Sequence, residues 1–456
     1  MEQTERTTQN DRKYMTRKAI SVAWPAMAES FFVTLAGMID TMMVSEMGPS
    51  AVAAVGLTNQ PKFIGLTLFF GINIAVSALI ARRKGEQKRE SANTVLLTAL
   101  VLSTILCAVI TLLFVVLSPQ IMELAGSNAD THEMAVEYFQ IIMGGMFFSV
   151  LTMVINAAQR GSGNTRLSMT TNLTSSIVNV FFNYLLIGGN LGFPAWGIRG
   201  AAIATVLGTV VSAIMAVFSL FRPNSYVRIP DIIRQKIRMT KESLRSIWKL
   251  AYNSSLENIA MRIGFLATAL LAARLGTDEF AAHNVGMSIL GLGFSFADGM
   301  QVAAVALAGE SLGAGLKENA KKYGSICQKI GFVISLILAS LLFFGGEWFY
   351  GLYFPGQPHI IEMGVLISRY TMVIVLLQIS QIIFTGCLRA AGDVRYTLLG
   401  AIVSITFIRT AVTVLLVNVF HMGLSGVWLG VMADQLSRFL MMSIRFRQGK
   451  WVHLKI

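Results

Sequence analysis

The chain has 456 residues, 54% hydrophobic and 13% charged, with a mean hydropathy of +0.63. A soluble globular chain carries about a quarter charged residues, so a soluble enzyme and a disordered scaffold are both excluded. The 37 Lys or Arg against 24 Asp or Glu give a net charge of +13, which in a soluble chain points to nucleic acid and here must first be weighed against a membrane.

Crossing a hydrocarbon core of about 30 Å takes roughly 20 mostly apolar residues. Twelve such stretches succeed one another, near 19–46, 51–81, 92–118, 134–158, 167–188, 198–221, 248–273, 281–308, 325–345, 361–388, 397–419 and 424–443. Continuous apolar runs such as Val95 to Leu117 predict helices, because membrane β-strands alternate over segments of about ten residues. The fold class is therefore all-α and polytopic.

A polar tail with Arg6, Arg12, Lys13, Arg17 and Lys18 precedes span one. The apolar stretch after it is too long for a signal peptide and lacks a small-residue cleavage pattern, so it is expected to remain as a helix. Span one carries Pro25, Glu29 and Asp40. Proline removes a backbone hydrogen bond, so Pro25 predicts a kink fifteen residues before Asp40. Residues 29, 33, 36 and 40 fall on one helical stripe, which places the two carboxylates on one face about 16 Å apart. Span five aligns Asn172, Ser176, Asn179 and Asn183 on a single face. Spans seven and eight repeat the pattern with Asn253, Glu257, Gly264 and Thr268, then Asn284, Ser288, Gly291, Ser295 and Asp298. Asp298 is a candidate partner of Arg262. Span ten offers Gln378, Gln381 and Thr385, and in span twelve Asp434 lies one turn before Arg438, the spacing of a helix ion pair. Glu29, Asp40, Glu257, Asp298 and Asp434 are the acids well inside spans, where charge is costly and function is the first reading. Cys107, Cys327 and Cys387 read as apolar packing residues, with no metal or disulfide pattern.

Cytoplasmic loops are enriched in Lys and Arg. With both termini inside, 31 of the 37 basic residues fall in cytoplasmic segments, and the outer loops hold only Arg199 and Arg274. The high charge thus reports topology and implies no nucleic acid. The chain also repeats itself. Gln159-Arg-Gly-Ser-Gly-Asn-Thr-Arg166 matches Leu388-Arg-Ala-Ala-Gly-Asp-Val-Arg395 at an offset of 229, and Glu29 matches Glu257, as Gly48 matches Gly276, at 228. Six spans return the chain to its starting side, so the halves share one orientation. The expected division is a tail over 1–18, an N-lobe over 19–221, a cytoplasmic linker over 222–247, a C-lobe over 248–443 and a tail over 444–456. Within the linker Lys241-Glu-Ser-Leu-Arg245 reads as a solvated tether rather than a helix.

Twelve spans as 6+6, Pro25 and Asp40 in helix one, and the paired loops after spans four and ten resemble the multidrug and toxic compound extrusion family, most closely its prokaryotic DinF branch. The resemblance covers essentially the whole chain. It implies a V-shaped pair of six-helix bundles in the bacterial inner membrane that exports cationic drugs or dyes in exchange for protons or sodium ions. The expected surroundings are membrane lipid, the expected state a monomer, and no cofactor is expected. The resemblance places Asn179 and Asn183 opposite Asp40. Many relatives carry Asp where Asn183 stands, which leaves Asp40 as the principal N-lobe acid, with Asn172 and Ser176 on the same proton- or drug-binding face. Sodium-coupled relatives use a helix-seven Glu with a second carboxylate in helix ten. Here Glu257 is retained but helix ten offers Gln378, Gln381 and Thr385 instead of a second acid, which makes Glu257 a weak sodium candidate and favours protons as the coupling ion. In the expected cycle a proton and a drug compete for Asp40; in a variant, protonation of Asp40 bends helix one at Pro25. The rival functions are a sodium-coupled exporter and a lipid-linked oligosaccharide flippase. No GxxxxGK[ST] loop or Asp-rich metal motif is present, so neither an ATP-driven pump nor an enzyme is expected.

Overall fold

The computed structural model describes residues 2–454, with side chains described for all but 2–11, Pro49 and Thr277; the side chain of Arg6, and Lys455, fall outside the described residues. The described residues form helices joined by short loops. The helices are α1 (Glu2–Ser45), α2 (Pro49–Gly85), α3 (Arg89–Val116), α4 (Ser118–Leu124), α5 (His132–Gly144), α6 (Met146–Gly161), α7 (Thr165–Gly188), α8 (Gly197–Ser219), α9 (Ile229–Arg234), α10 (Lys241–Ala273), α11 (Thr277–Gly313), α12 (Lys317–Tyr353), α13 (Pro358–Ala390), α14 (Val394–Val419) and α15 (Gly423–Gln448). Each predicted span is present. Nine of the described helices are long and apolar enough to cross a membrane, and the bent pair α5–α6 makes ten. The other two, α7 and α15, have 24 and 26 residues, ample at 1.5 Å per residue. They miss on composition, because α7 carries the Asn stripe and α15 carries Asp434 and Arg438.

Three expectations need correction. Span four is not one helix: α5 and α6 meet at 46° about Gly144 and Gly145. Beside that bend, a Cβ on Gly145 would meet the Val206 side chain on α8, so the glycine lets the two helices approach closely. Span eleven is not uniformly α: Ile402–Arg409 and Leu415–Val419 are π-helical, a local widening that often marks functional positions. The linker is not a solvated tether. Arg89 donates through Nη2 and Nε to the carbonyls of Ser225 and Tyr226, both at 2.8 Å, and the Arg228 N–H donates to Asn93 Oδ1 at 2.9 Å. These contacts pin residues 225–231 to the start of α3, and Lys241 already belongs to the helix that becomes span seven.

The fold divides into two compact units, Ala28–Ser255 and Met1–Met27 with Leu256–Ile456. The divide falls inside α1, between Met27 and Ala28, two residues beyond Pro25. Helix α1 continues through Pro25 as a single helix. In the first unit α2, α3, α6 and α8 pack around small residues. At Gly161 of α6 an added Cβ would meet the backbone carbonyl of Ser77 on α2. Gly161→Ala is therefore expected to cost about 1–3 kcal/mol, since backbone cannot yield as a side chain does; thermal unfolding in detergent measures it, and an unchanged melting temperature would contradict the packing. In the second unit α13 is the central helix, with 78% of its most apolar window buried. Outward faces carry Ile105, Leu112, Phe344 and Trp348, all exposed, as a lipid-facing surface requires. The three cysteines are buried and free.

Candidate functional site

In the first unit α1 and α7 run side by side in register. Asn172 donates to Glu29 and Asn183 donates to Asp40, and both pairs are 143 residues apart in sequence. Each acid of α1 thus meets one amide of α7, and the eleven-residue spacing, three turns, repeats on both helices. This corrects the predicted grouping. Asn172 serves Glu29, not Asp40, because an amide side chain cannot reach a carboxylate about 16 Å along the axis. Ser176 is half-buried between the two levels.

Around half-buried Asp40 stand residues that the sequence reading did not connect to it. Asn179 donates to Thr205 Oγ1 at 3.0 Å and faces the same carboxylate, as does the charge of Lys62 on α2. Lys62 Nζ also donates to Asn59 at 3.2 Å. Tyr138 of α5, 4% exposed, completes the cluster beside Thr205 and Asp40. The site is therefore a carboxylate with a lysine, two amides, a phenol and a hydroxyl. Such a group can hold Asp40 in either protonation state, since an amide both donates and accepts.

Glu29 is not open. Its Oε1 accepts from Arg160 Nη1 at 3.0 Å, Ser168 Oγ at 3.0 Å and Asn172 Nδ2 at 2.6 Å. The second unit repeats this arrangement within itself. Glu257 Oε1 lies 3.0 Å from Arg389 Nη2, and Glu257 Oε2 accepts from Thr397 at 3.0 Å. The pairs Glu29–Glu257, Arg160–Arg389 and Ser168–Thr397 are separated by 228, 229 and 229 residues, so the repeat preserves an acid, a guanidinium and a hydroxyl. The predicted sodium role of Glu257 meets a physical obstacle, because a guanidinium already neutralises the carboxylate and holds the place of a metal cation. The signal was available in the sequence: the two loop arginines and the two span acids share one offset, yet the arginines read as topology markers.

The remaining candidates fall elsewhere in the second unit. Gln378 is fully buried and its amide lacks a hydrogen-bond partner, packed against Gly293. Asp298 is exposed on α11. Asp434 and Arg438 form the predicted ion pair, bidentate at 2.9 and 3.1 Å. The sequence reading did not connect to this pair Arg409 of α14, a basic residue inside span eleven that is 0% exposed and 3.6 Å from Asp434.

Two helical halves with matching acid–guanidinium pairs inside their spans define a polytopic membrane protein, and the comparisons with known proteins place it among transporters. A family profile named MatE matches residues 25–185 and 254–415, once in each half, and the chain belongs to the MatE family. It is 28% identical over 440 residues to a probable multidrug resistance protein NorM of Thermotoga maritima, covering 95% of this chain and 93% of that one. It is 24% identical to an uncharacterized transporter, YisQ, of Bacillus subtilis, over 96% and 95% of the two chains. A solved outward-facing multidrug resistance MATE transporter of the MOP superfamily superposes with a TM-score of 0.88 at 25% identity, covering 96% of this chain and 97% of that one. A MOP superfamily transporter from Pyrococcus furiosus, whose binding pocket is described as having reversed polarity, superposes at 0.87 with 26% identity over 96% and 97%.

Proposed function

We propose that the protein is a secondary multidrug exporter of a bacterial cytoplasmic membrane, with both termini inside, that releases cationic amphipathic drugs or dyes in exchange for protons at Asp40. The observation that carries this reading is the environment of Asp40, half-buried, held by Asn183 and bordered by Lys62. An acid locked to a guanidinium, as Glu29 and Glu257 are, cannot exchange its partner readily. An acid held by neutral amides can give up a proton to take a cation. Drug and proton then exclude each other, and alternating access converts that exclusion into antiport. Neighbouring Lys62 already supplies positive charge to Asp40, so a cationic drug gains less than it would beside an isolated acid. The relatives named as multidrug resistance proteins support the substrate class. Proton coupling is favoured over sodium because Glu257 is occupied by Arg389 and because helix ten offers Gln378 in place of a second carboxylate.

The test is reconstituted efflux of a fluorescent cation driven separately by a pH step and by a sodium step. A response to the pH step alone supports the reading; a response to sodium alone would overturn proton coupling. Lys62→Gln is expected to raise apparent affinity for a monovalent cationic dye roughly tenfold, the scale of one charged contact removed. Equilibrium dye binding measures it, and affinity unchanged or weakened would remove Lys62 from the site.

A further inference from the structure

Among the described residues of the second unit, a buried or half-buried arginine is matched by its own acid at two places. Arg389 has Glu257, and Arg445 has Asp393 at 2.8 Å. At a third place two arginines share one acid. Both oxygens of fully buried Asp434 accept from Arg438, leaving Arg409 at 3.6 Å, too long for a hydrogen bond. Arg409 Nε donates to Thr268 Oγ1 at 2.8 Å, and the ring of Phe265 lies 4.8 Å from the guanidinium carbon. Nη1 and Nη2 have no acceptor. A guanidinium has five N–H groups in a planar fork and stays charged, so the cluster keeps a net charge of +1 inside the spans. Leaving a charge so, away from water, is costly.

The neighbours of Arg409 share its deficit. Thr413 Oγ1, one turn further along α14, has no partner, nor have Trp428 Nε1 on α15 and His283 Nδ1 on α11. The Trp428 and His283 rings are 5.5 Å apart, and His283 feels the charge of Arg409. All four residues are buried, none more than 2% exposed. The π-helical turn of α14 ends on Arg409.

We propose that Arg409, with Thr413, Trp428 and His283 around it, forms a binding site for a small monovalent anion of halide size. Guanidinium, indole and hydroxyl groups all supply donors, and the imidazole does so in its Nδ1–H tautomer. What they lack is one acceptor that bears a negative charge and carries no hydrogen, the chemistry of chloride. A water molecule would satisfy some of these atoms and leave the charge uncancelled. The position has a counterpart in the first unit. Thr268, to which Arg409 is bonded, stands 228 residues after Asp40, so the repeat keeps an acid at this level in one half and a cation in the other. The assignment does not depend on drug and proton competing at Asp40.

Equilibrium binding of radioactive chloride to the purified full-length protein, at fixed pH and sodium with gluconate as the replacing ion, tests it. Saturable uptake of about one chloride per chain, together with a melting temperature that rises with chloride and saturates, is the expected result, since a ligand bound only by the folded state stabilises it. No saturable uptake overturns the site. Arg409→Gln should abolish binding, while Thr413→Val, which removes one polar group with little change of shape, and Trp428→Phe, which removes the indole N–H together with part of the ring system, should each weaken it roughly fivefold, the weight of a net hydrogen bond. If Arg409→Gln does not fold, the other two variants decide: chloride affinity equal to wild type in both places the anion elsewhere and overturns the assignment.

Discussion

Asp40→Asn is expected to abolish drug resistance in an efflux-deficient host and to flatten the pH dependence of efflux from vesicles. An amide keeps the shape and the contact with Asn183 but takes no proton, so the proposed competition between drug and proton would be gone. The loss in cation affinity should be roughly 10- to 100-fold, the range for a contact to a charged group. Asn183→Ala, which leaves the carboxylate in place, should reduce the pH response without removing drug binding. Full resistance and an unchanged pH profile in Asp40→Asn, at matched expression, would end the proposal. If binding were lost but a sodium step still drove efflux of a weakly bound dye, the drug site would stand and the coupling ion would have to be sought elsewhere.

The second large effect concerns the buried ion pairs. Glu257→Gln leaves Arg389, 7% exposed, without its carboxylate, and Glu29→Gln does the same to Arg160. Removing one partner of a buried pair costs about 3–5 kcal/mol, whereas removing both charges with apolar replacements of similar volume costs far less. Each single variant should therefore lower the melting temperature in detergent substantially, and Glu257→Gln combined with Arg389→Met should recover most of the loss. The hydroxyl of Thr397 cannot compensate, because it carries no charge. A single variant as stable as wild type would show that the carboxylate is not what neutralises the guanidinium in the folded protein. A double variant less stable than either single would show that the side chains matter through shape instead.

These cases show which parts of the molecule were legible in the chain. Twelve spans were readable because a lipid environment requires long apolar runs, and that requirement acts on local sequence. The repeat was readable because duplicated residues keep their spacing. The Asp434–Arg438 pair was readable because residues one turn apart are neighbours on any helix. The bend between α5 and α6 and the docking of the linker on α3 were not. Both depend on which side chains a distant helix presents, Val206 against Gly145 and Asn93 against the Arg228 N–H.

The sequence by itself determined the class of fold, the duplication and the acids inside spans, because hydropathy, spacing and the cost of a charge in hydrocarbon are properties of residues wherever they lie. The tertiary structure decided how those acids differ. It closed Glu29 and Glu257 with guanidinium groups, left Asp40 among amides and a lysine, and set Arg409 beside an acid already taken. Partnership of that kind arises from the register of one helix against another, Asn172 with Glu29 and Asn183 with Asp40 at a shared offset of 143 residues. Register between helices is fixed by packing across the bundle, and no stretch of the chain carries it alone.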